Sequence, residues 1–163
     1  SHQAYQYLLE AIKRDGVPYD LISKSLPTVE GAVNDILAQI VDFNVLFNMD
    51  GKVIDTHIVY DDDRVWPLEL SSGMERFISS LAIRVGLMNV SNLPRSNFLA
   101  IDEGWGTMDS ENLNSVAQLF QYLKSQFQFT FVVSHIESMR DFVDTLLEIK
   151  KVSGSSSVKF SRD

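Results

Sequence analysis

Residues Phe98 to Glu103 read Phe-Leu-Ala-Ile-Asp-Glu, an apolar run that ends in two adjacent carboxylates. A short apolar run is the pattern of a central strand in a parallel sheet, and charge at the carboxyl end of such a strand lies where open α/β sheets hold ligands. Two acids there suit phosphate chemistry, with Asp102 holding a hydrated magnesium ion and Glu103 orienting an attacking water. The same pair can simply end a strand and open a turn. The rest of the chain decides between these readings.

The chain has 163 residues, 45% of them hydrophobic, enough for one core with an appendage. No run is long enough to span a bilayer. There is no cysteine, hence no disulfide framework and no thiolate metal site, and no signal peptide opens the chain; together these point to a reducing, cytosolic setting, nuclear in a eukaryote. With 14 basic and 22 acidic residues the formal charge is −8, so DNA contacts are expected mainly on other parts of an assembly. Ser1-His2 followed by a helical pattern reads as a tag remnant on a fragment of a longer protein.

These acids need a scaffold, and the periodicities supply one. Ala4, Tyr7, Leu8, Ala11 and Ile12 have helical spacing up to Gly16-Val17-Pro18, and a second helix is expected after Pro27 with Val33, Ile36, Leu37, Ile40 and Val41 on one face. Alternation at Phe43, Val45, Phe47 and Met49, then Asp50-Gly51, then Val53 to Tyr60, predicts an antiparallel hairpin. The acids Asp61, Asp62 and Asp63 fall between strand-like stretches and read as a solvated loop tip rather than a metal cluster. Beyond Trp66-Pro67, helix and strand alternate, the grammar of a mainly parallel sheet. A helix starts at Ser72-Gly73 with Phe77, Ile78, Leu81, Ala82 and Val85 inward, then come strand 98–102, a helix carrying Leu113, Val116, Ala117, Phe120 and Leu123, strand 129–133, a short helix to about Val143, strand 145–149, a turn at Ser153-Gly154-Ser155 that runs on through the Ser-rich Ser155-Ser156-Ser157, and a last strand 158–160.

Four separated features make roughly residues 40 to 160 resemble the second half of an ABC-type ATPase head, most nearly that of the Rad-fifty/SbcC repair ATPases, relatives of the chromosome-maintenance (SMC) proteins. The family signature L-S-G-G-E-R is matched by Ser71-Ser72-Gly73-Met74-Glu75-Arg76, with Ser71 and Met74 as departures. A register one residue earlier keeps Leu70 and loses the Glu-Arg continuation. In the signature a hydroxyl, a glycine and a helix amino terminus together form a γ-phosphate receptor; Ser72-Gly73 also reads as a plain N-cap and turn glycine. The resemblance implies Asp102 and Glu103 as the Walker B pair, Asp109 as the D-loop aspartate, and His135, after Phe131-Val132-Val133-Ser134, as the switch histidine that contacts γ-phosphate. Gly104-Trp105 replaces the family's Pro-Thr. Asp109 is equally an N-cap, and a histidine at a strand end is also a structural residue. Arg84 corresponds to an arginine that couples nucleotide state to head movement, or is a surface charge.

No G-x-x-x-x-G-K-[ST] loop occurs, so this chain is not expected to hold ATP alone. The resemblance places that loop in an amino-terminal half of the head, beyond a coiled coil whose returning stump is residues 3 to 15. It also implies a Mre-eleven/SbcD-type nuclease near the coil base, with Tyr5, Tyr7, Leu8 and Ile12 as contacts. The expectation is therefore an α/β fold, the carboxyl-terminal lobe of a P-loop ABC-type head: residues 1–40 form the coil end and helical base, residues 41–163 the ATPase lobe. Two heads would sandwich ATP and magnesium, Asp102 serving the metal, Glu103 the water, His135 the γ-phosphate, and Ser72, Gly73 and Asp109 completing the nucleotide site. The rival expectations are an SMC-type chromosome-organising head and an ABC transporter nucleotide domain.

Overall fold

The computed structural model describes residues 19–51, 53–61, 63–91, 97–102, 113–134 and 137–162. Helix α1 spans Tyr19–Leu37 and buries Leu26, Val29, Val33, Ile36 and Leu37 at i, i+3, i+4 and i+7 spacing. Pro27 does not precede this helix, as expected, but lies inside it. Its ring is exposed, and the buried Leu26 and Val29 on either side seat the turn whose backbone hydrogen bond proline removes. The residues that follow tighten into a turn, with the Ile40 and Val41 amides donating to the Leu37 carbonyl, which carries Ile40 into the same core.

Strands β1 (Asn44–Asp50), β2 (Val53–Asp61) and β3 (Arg64–Pro67) form an antiparallel sheet in that order. The β1–β2 hairpin turns at Gly51, whose φ of +58° is the left-handed conformation the tight turn requires. Phe43, Val45, Phe47, Ile54 and Ile58 face the core, as their alternation predicts. Helix α1 also closes the outer edge of β1. The Asn34 side chain donates to the Val45 carbonyl at 3.0 Å and accepts from the Val45 amide at 2.8 Å, while Glu30 accepts from the Phe47 amide at 2.9 Å. These side chains occupy groups that an added strand would otherwise pair with. Asp61, the last residue of β2, and Asp63 in the turn after it are exposed, and Asp61 accepts from Arg64 at 3.0 Å, so both are solvated as expected, although Asp61 still belongs to the strand.

A 3-10 turn, Leu68–Leu70, leads into α2 (Gly73–Val90). This helix is buried on two sides, with Ile78, Leu81, Ala82 and Val85 joined by Met74, Ser79, Ile83 and Gly86. The added residues include the contact with α1, where a Cβ on Gly86 would stand 2.9 Å from Val33 Cγ2. Strand β4 (Phe98–Asp102) pairs in parallel with β5 (Phe129–Val133), and α3 (Leu113–Gln126) buries Val116, Leu119, Phe120 and Leu123. After a 3-10 segment, Glu137–Phe142, strands β6 (Thr145–Val152) and β7 (Ser155–Arg162) make an antiparallel hairpin.

Two details differ from expectation. Among the described residues β4–β5 is the parallel pair and the other pairings are antiparallel, because the short Ser153-Gly154 turn can join only antiparallel strands. That turn takes φ values of 50° and 83°, and Ser155, Ser156 and Ser157 belong to β7 rather than to a turn. No described helix is long and apolar enough to cross a membrane.

Candidate functional site

Helix α2 begins where a serine stops the preceding turn. Ser71 is buried and its hydroxyl donates to the Leu68 carbonyl at 2.5 Å, so it is occupied by the fold. Ser72 is exposed and caps the helix: its Oγ accepts from the Glu75 amide at 3.2 Å, and Glu75 Oε1 accepts from the Ser72 amide at 2.9 Å. This reciprocal capping box settles which serine stands free at the helix mouth. It also shows that the N-cap role and a ligand role are compatible, because a capping oxygen keeps its own O–H to donate outward. Gly73 has nothing within 4 Å of where a Cβ would lie, so the approach to the first turn is open. Met74, a departure from the signature, turns its side chain into the core, at 7% exposure, and away from that approach.

Glu75 has a second anchor. The Tyr60 hydroxyl donates to Glu75 Oε2 at 2.9 Å. Tyr60 is held in turn by a stack on Trp66 (centroids 5.3 Å apart, 28° between planes), a tilted contact with Phe43 at 5.4 Å, and the Arg64 guanidinium 5.4 Å over its ring. Burial, then the hydrogen bond and charge of Glu75, push the Tyr60 phenol above its ordinary range, so it remains a donor. The Ser-x-x-Glu spacing of the capping box was legible in the sequence; the reach of Tyr60 from the antiparallel sheet was not, since nothing local sets it.

Further along α2, Arg84 is half-buried and donates through Nη1 to the Ala100 carbonyl of β4 at 2.8 Å. The surface-charge reading of Arg84 is therefore replaced by a tie between the signature helix and the strand that ends at Asp102. The backbone of Asp102 pairs with Val133 at the carboxyl end of the parallel pair. Glu103, Asp109 and His135 lie outside the described residues, as do the expected coil stump 3–15 and its contacts Tyr5, Tyr7, Leu8 and Ile12. Among the described residues there is no group of three metal-ligating side chains. Magnesium needs no such cage, because it is commonly held by one or two carboxylates, waters and substrate phosphates.

Leu99 and Ile101 are buried in the core, whereas on the other face of the parallel pair Phe98, Phe129 and Phe131 are 51%, 62% and 50% exposed. Parallel strands are ordinarily covered on both faces, so these exposed phenylalanines mark a surface of β4–β5 that the described residues leave open to a further layer. On the β6–β7 hairpin the cross-strand pairs Leu147–Phe160 and Ile149–Val158 are exposed as well.

No family model matches the chain. Uncharacterized protein R555 of Acanthamoeba polyphaga mimivirus is 34% identical over 170 residues, which cover 94% of this chain and 13% of that protein. The SbcC polypeptide of the nuclease SbcCD from Staphylococcus aureus (strain Newman) is 32% identical over 96 residues, 56% of this chain and 10% of that protein. The chain thus spans a small part of the length of the curated relatives it matches. Among solved structures, a chain from work on ATP-driven dimerization and DNA-stimulated activation of SMC ATPases superposes with a TM-score of 0.69 at 16% identity, covering 87% of this chain and 88% of that one. An SMC head bound to the C-terminal winged-helix domain of ScpA also gives 0.69 at 16% identity, over 99% of this chain and 51% of that one. The fold is that of an SMC ATPase head, α/β and ABC-type.

Proposed function

From a chain homologous to the SbcC polypeptide of SbcCD and folded as an SMC ATPase head lobe, we propose the carboxyl-terminal ATPase lobe of a DNA double-strand-break repair and recombination protein. ATP is hydrolysed between two heads, and the cycle regulates a partner nuclease of SbcD type on DNA. The observation that carries this reading is the arrangement of α2: Ser72 and Gly73 open at its amino terminus, and Arg84 joining it to the strand of Asp102. A helix mouth with a free hydroxyl donor receives phosphate, and the strand end beside the tie carries the acid for the metal.

In this reading the amino-terminal half of the same head covers the exposed Phe129 and Phe131 of β5 and brings the phosphate-cradling loop. Asp102 holds magnesium, which supplies charge neutralisation at the phosphates when bound. Glu103 orients water, His135 contacts the γ-phosphate, and Asp109 flanks the interface. Ser72 and Gly73 complete the site of the opposite head. Positioning and charge stabilisation carry the rate. A chromosome-organising head is the second reading, favoured by the likeness to SMC heads, and lack of a nuclease partner in pull-downs of the full-length protein would select it.

The test is Ser72→Arg in the complete head, this chain together with its Walker A half. A bulky cation at the helix mouth should leave the ATP affinity of a single head intact and abolish ATP-induced dimerisation, measured by light scattering, together with hydrolysis. Mixed with heads that lack a working Walker A loop, it should recover activity, because one composite site then carries both defects and the other none. Intact dimerisation with a modest loss of thermal stability would reduce Ser72 to a helix cap, a change of about 1 kcal/mol.

A further inference from the structure

The antiparallel sheet is bonded to the mouth of α2 through a single carboxylate. Tyr60, on β2, donates to Glu75 Oε2 at 2.9 Å; the other oxygen of Glu75 accepts from the Ser72 amide at 2.9 Å; and the Glu75 amide donates to Ser72 Oγ at 3.2 Å. The residues are fifteen apart in sequence at the first link, so this relay exists only in the folded molecule. We infer that Tyr60 is a positioning residue for Ser72: by holding the Glu75 carboxylate against the cap, it fixes the serine hydroxyl and the place of the negative charge beside the phosphate that α2 receives.

The chemistry of the cap makes this necessary. A helix amino terminus attracts anions, and a carboxylate three residues in competes with any incoming phosphate for the same field. Glu75 has one oxygen on the Ser72 amide and the other on the Tyr60 hydroxyl, which fixes where that charge sits. The Tyr60 ring has little freedom to withdraw, being stacked on Trp66 and packed against Phe43. Its phenol stays protonated, because burial and Glu75 raise it, and it therefore acts as donor throughout the working pH range. Without that hydrogen bond Glu75 has the Ser72 amide as its remaining side-chain anchor, and the carboxylate and the serine hydroxyl it caps are held less firmly.

This inference rests on the reading that Ser72 serves nucleotide in the opposite head. Tyr60→Phe, which keeps the ring and its stacking, is measured in the complete head. It should lower kcat about tenfold and weaken ATP-driven dimerisation, the size expected for a hydrogen bond to a charged group, with the ATP affinity of a single head unchanged. In a Glu75→Gln background, where a displaced side chain carries no charge, the same substitution should cost less than about twofold. Equal cost in both backgrounds would make Tyr60 a packing residue, and no cost in either would remove it from the site. Glu75→Gln against Glu75→Ala gives the answer independently of how Tyr60→Phe folds: Gln accepts from the Ser72 amide through its oxygen and donates through its amide nitrogen to the Tyr60 oxygen, so it should retain activity, Ala should lose it, and equality of the two overturns the inference. Ser72→Ala separates the levels. If it abolishes hydrolysis while Tyr60→Phe leaves kcat and dimerisation at the parental level, the positioning role alone falls; if it leaves hydrolysis intact, the trans-acting serine falls and the positioning role with it.

Discussion

The guanidinium of Arg84 and the carbonyl of Ala100 are 2.8 Å apart, which fastens the helix that opens at Ser72 to the strand that closes at Asp102. A rigid tie of this kind makes the two ends of the proposed site move together. Ser72 cannot tilt with its helix unless the strand carrying the metal acid follows, or the bond breaks.

Replacing Arg84 with Met keeps the length of the side chain and removes the donor. A hydrogen bond from a charged group contributes about 1.5–3 kcal/mol, so urea denaturation should show a loss of about that size, whereas a surface charge would cost less than about 0.5 kcal/mol. In the complete head, ATP affinity should persist and ATP-driven dimerisation should fall. Full stability in Arg84→Met would show that the bond contributes nothing.

The chain by itself should bind no Mg-ATP in calorimetry, because no phosphate-cradling loop is encoded in it. Adding the amino-terminal half should restore binding. Phe131→Lys, on β5, should prevent that association while leaving the fold of this chain unchanged, since Phe131 is half exposed in it. Micromolar ATP binding by the isolated chain would sink the split-site reading.

Gly86→Ala should destabilise the chain by about 1–3 kcal/mol, the range for added volume in a packed core. A Cβ there meets Val33 Cγ2 at 2.9 Å, and the backbone of Val33 lies 3.4 Å away, so α1 must shift from α2. Val33→Ala in the same chain should recover part of the loss. A thermal melt equal to the parent in Gly86→Ala would mean that the helices separate freely.

Tyrosine ionisation supplies a check on the Tyr60–Glu75 bond. Tyr60 should ionise late, because its phenol is raised first by burial and then by Glu75. The sign follows: a group whose folded value is raised contributes stability that is complete below its unfolded value of about 10 and declines as pH rises beyond it. Denaturation midpoints between about pH 9 and pH 11 should therefore fall more steeply for the parent than for Tyr60→Phe. Tyrosinate absorbance that shows the same late step in both proteins would assign it to another residue.

Much of this architecture was written in local pattern. The alternation through Phe43, Val45 and Phe47, the Asp50-Gly51 turn, and the apolar faces of α2 and α3 follow from periods of two and 3.6 residues, which neighbouring side chains set without help from distant ones. The same holds for the capping box, since Ser72 and Glu75 stand three apart. Pro27 misled because proline is weighed locally as a helix breaker, while the burial of Leu26 and Val29 against other elements outweighs one missing hydrogen bond. Only the tertiary structure could bring Arg84 to Ala100, Tyr60 to Glu75 and Asn34 to the edge of β1, for each of these bonds joins residues whose distance is set by packing and not by spacing along the chain. It also decided that Phe129 and Phe131, in an apolar strand of the parallel pair, are exposed. Sequence reports how apolar a strand is, and what lies against it depends on which layers the rest of the molecule supplies.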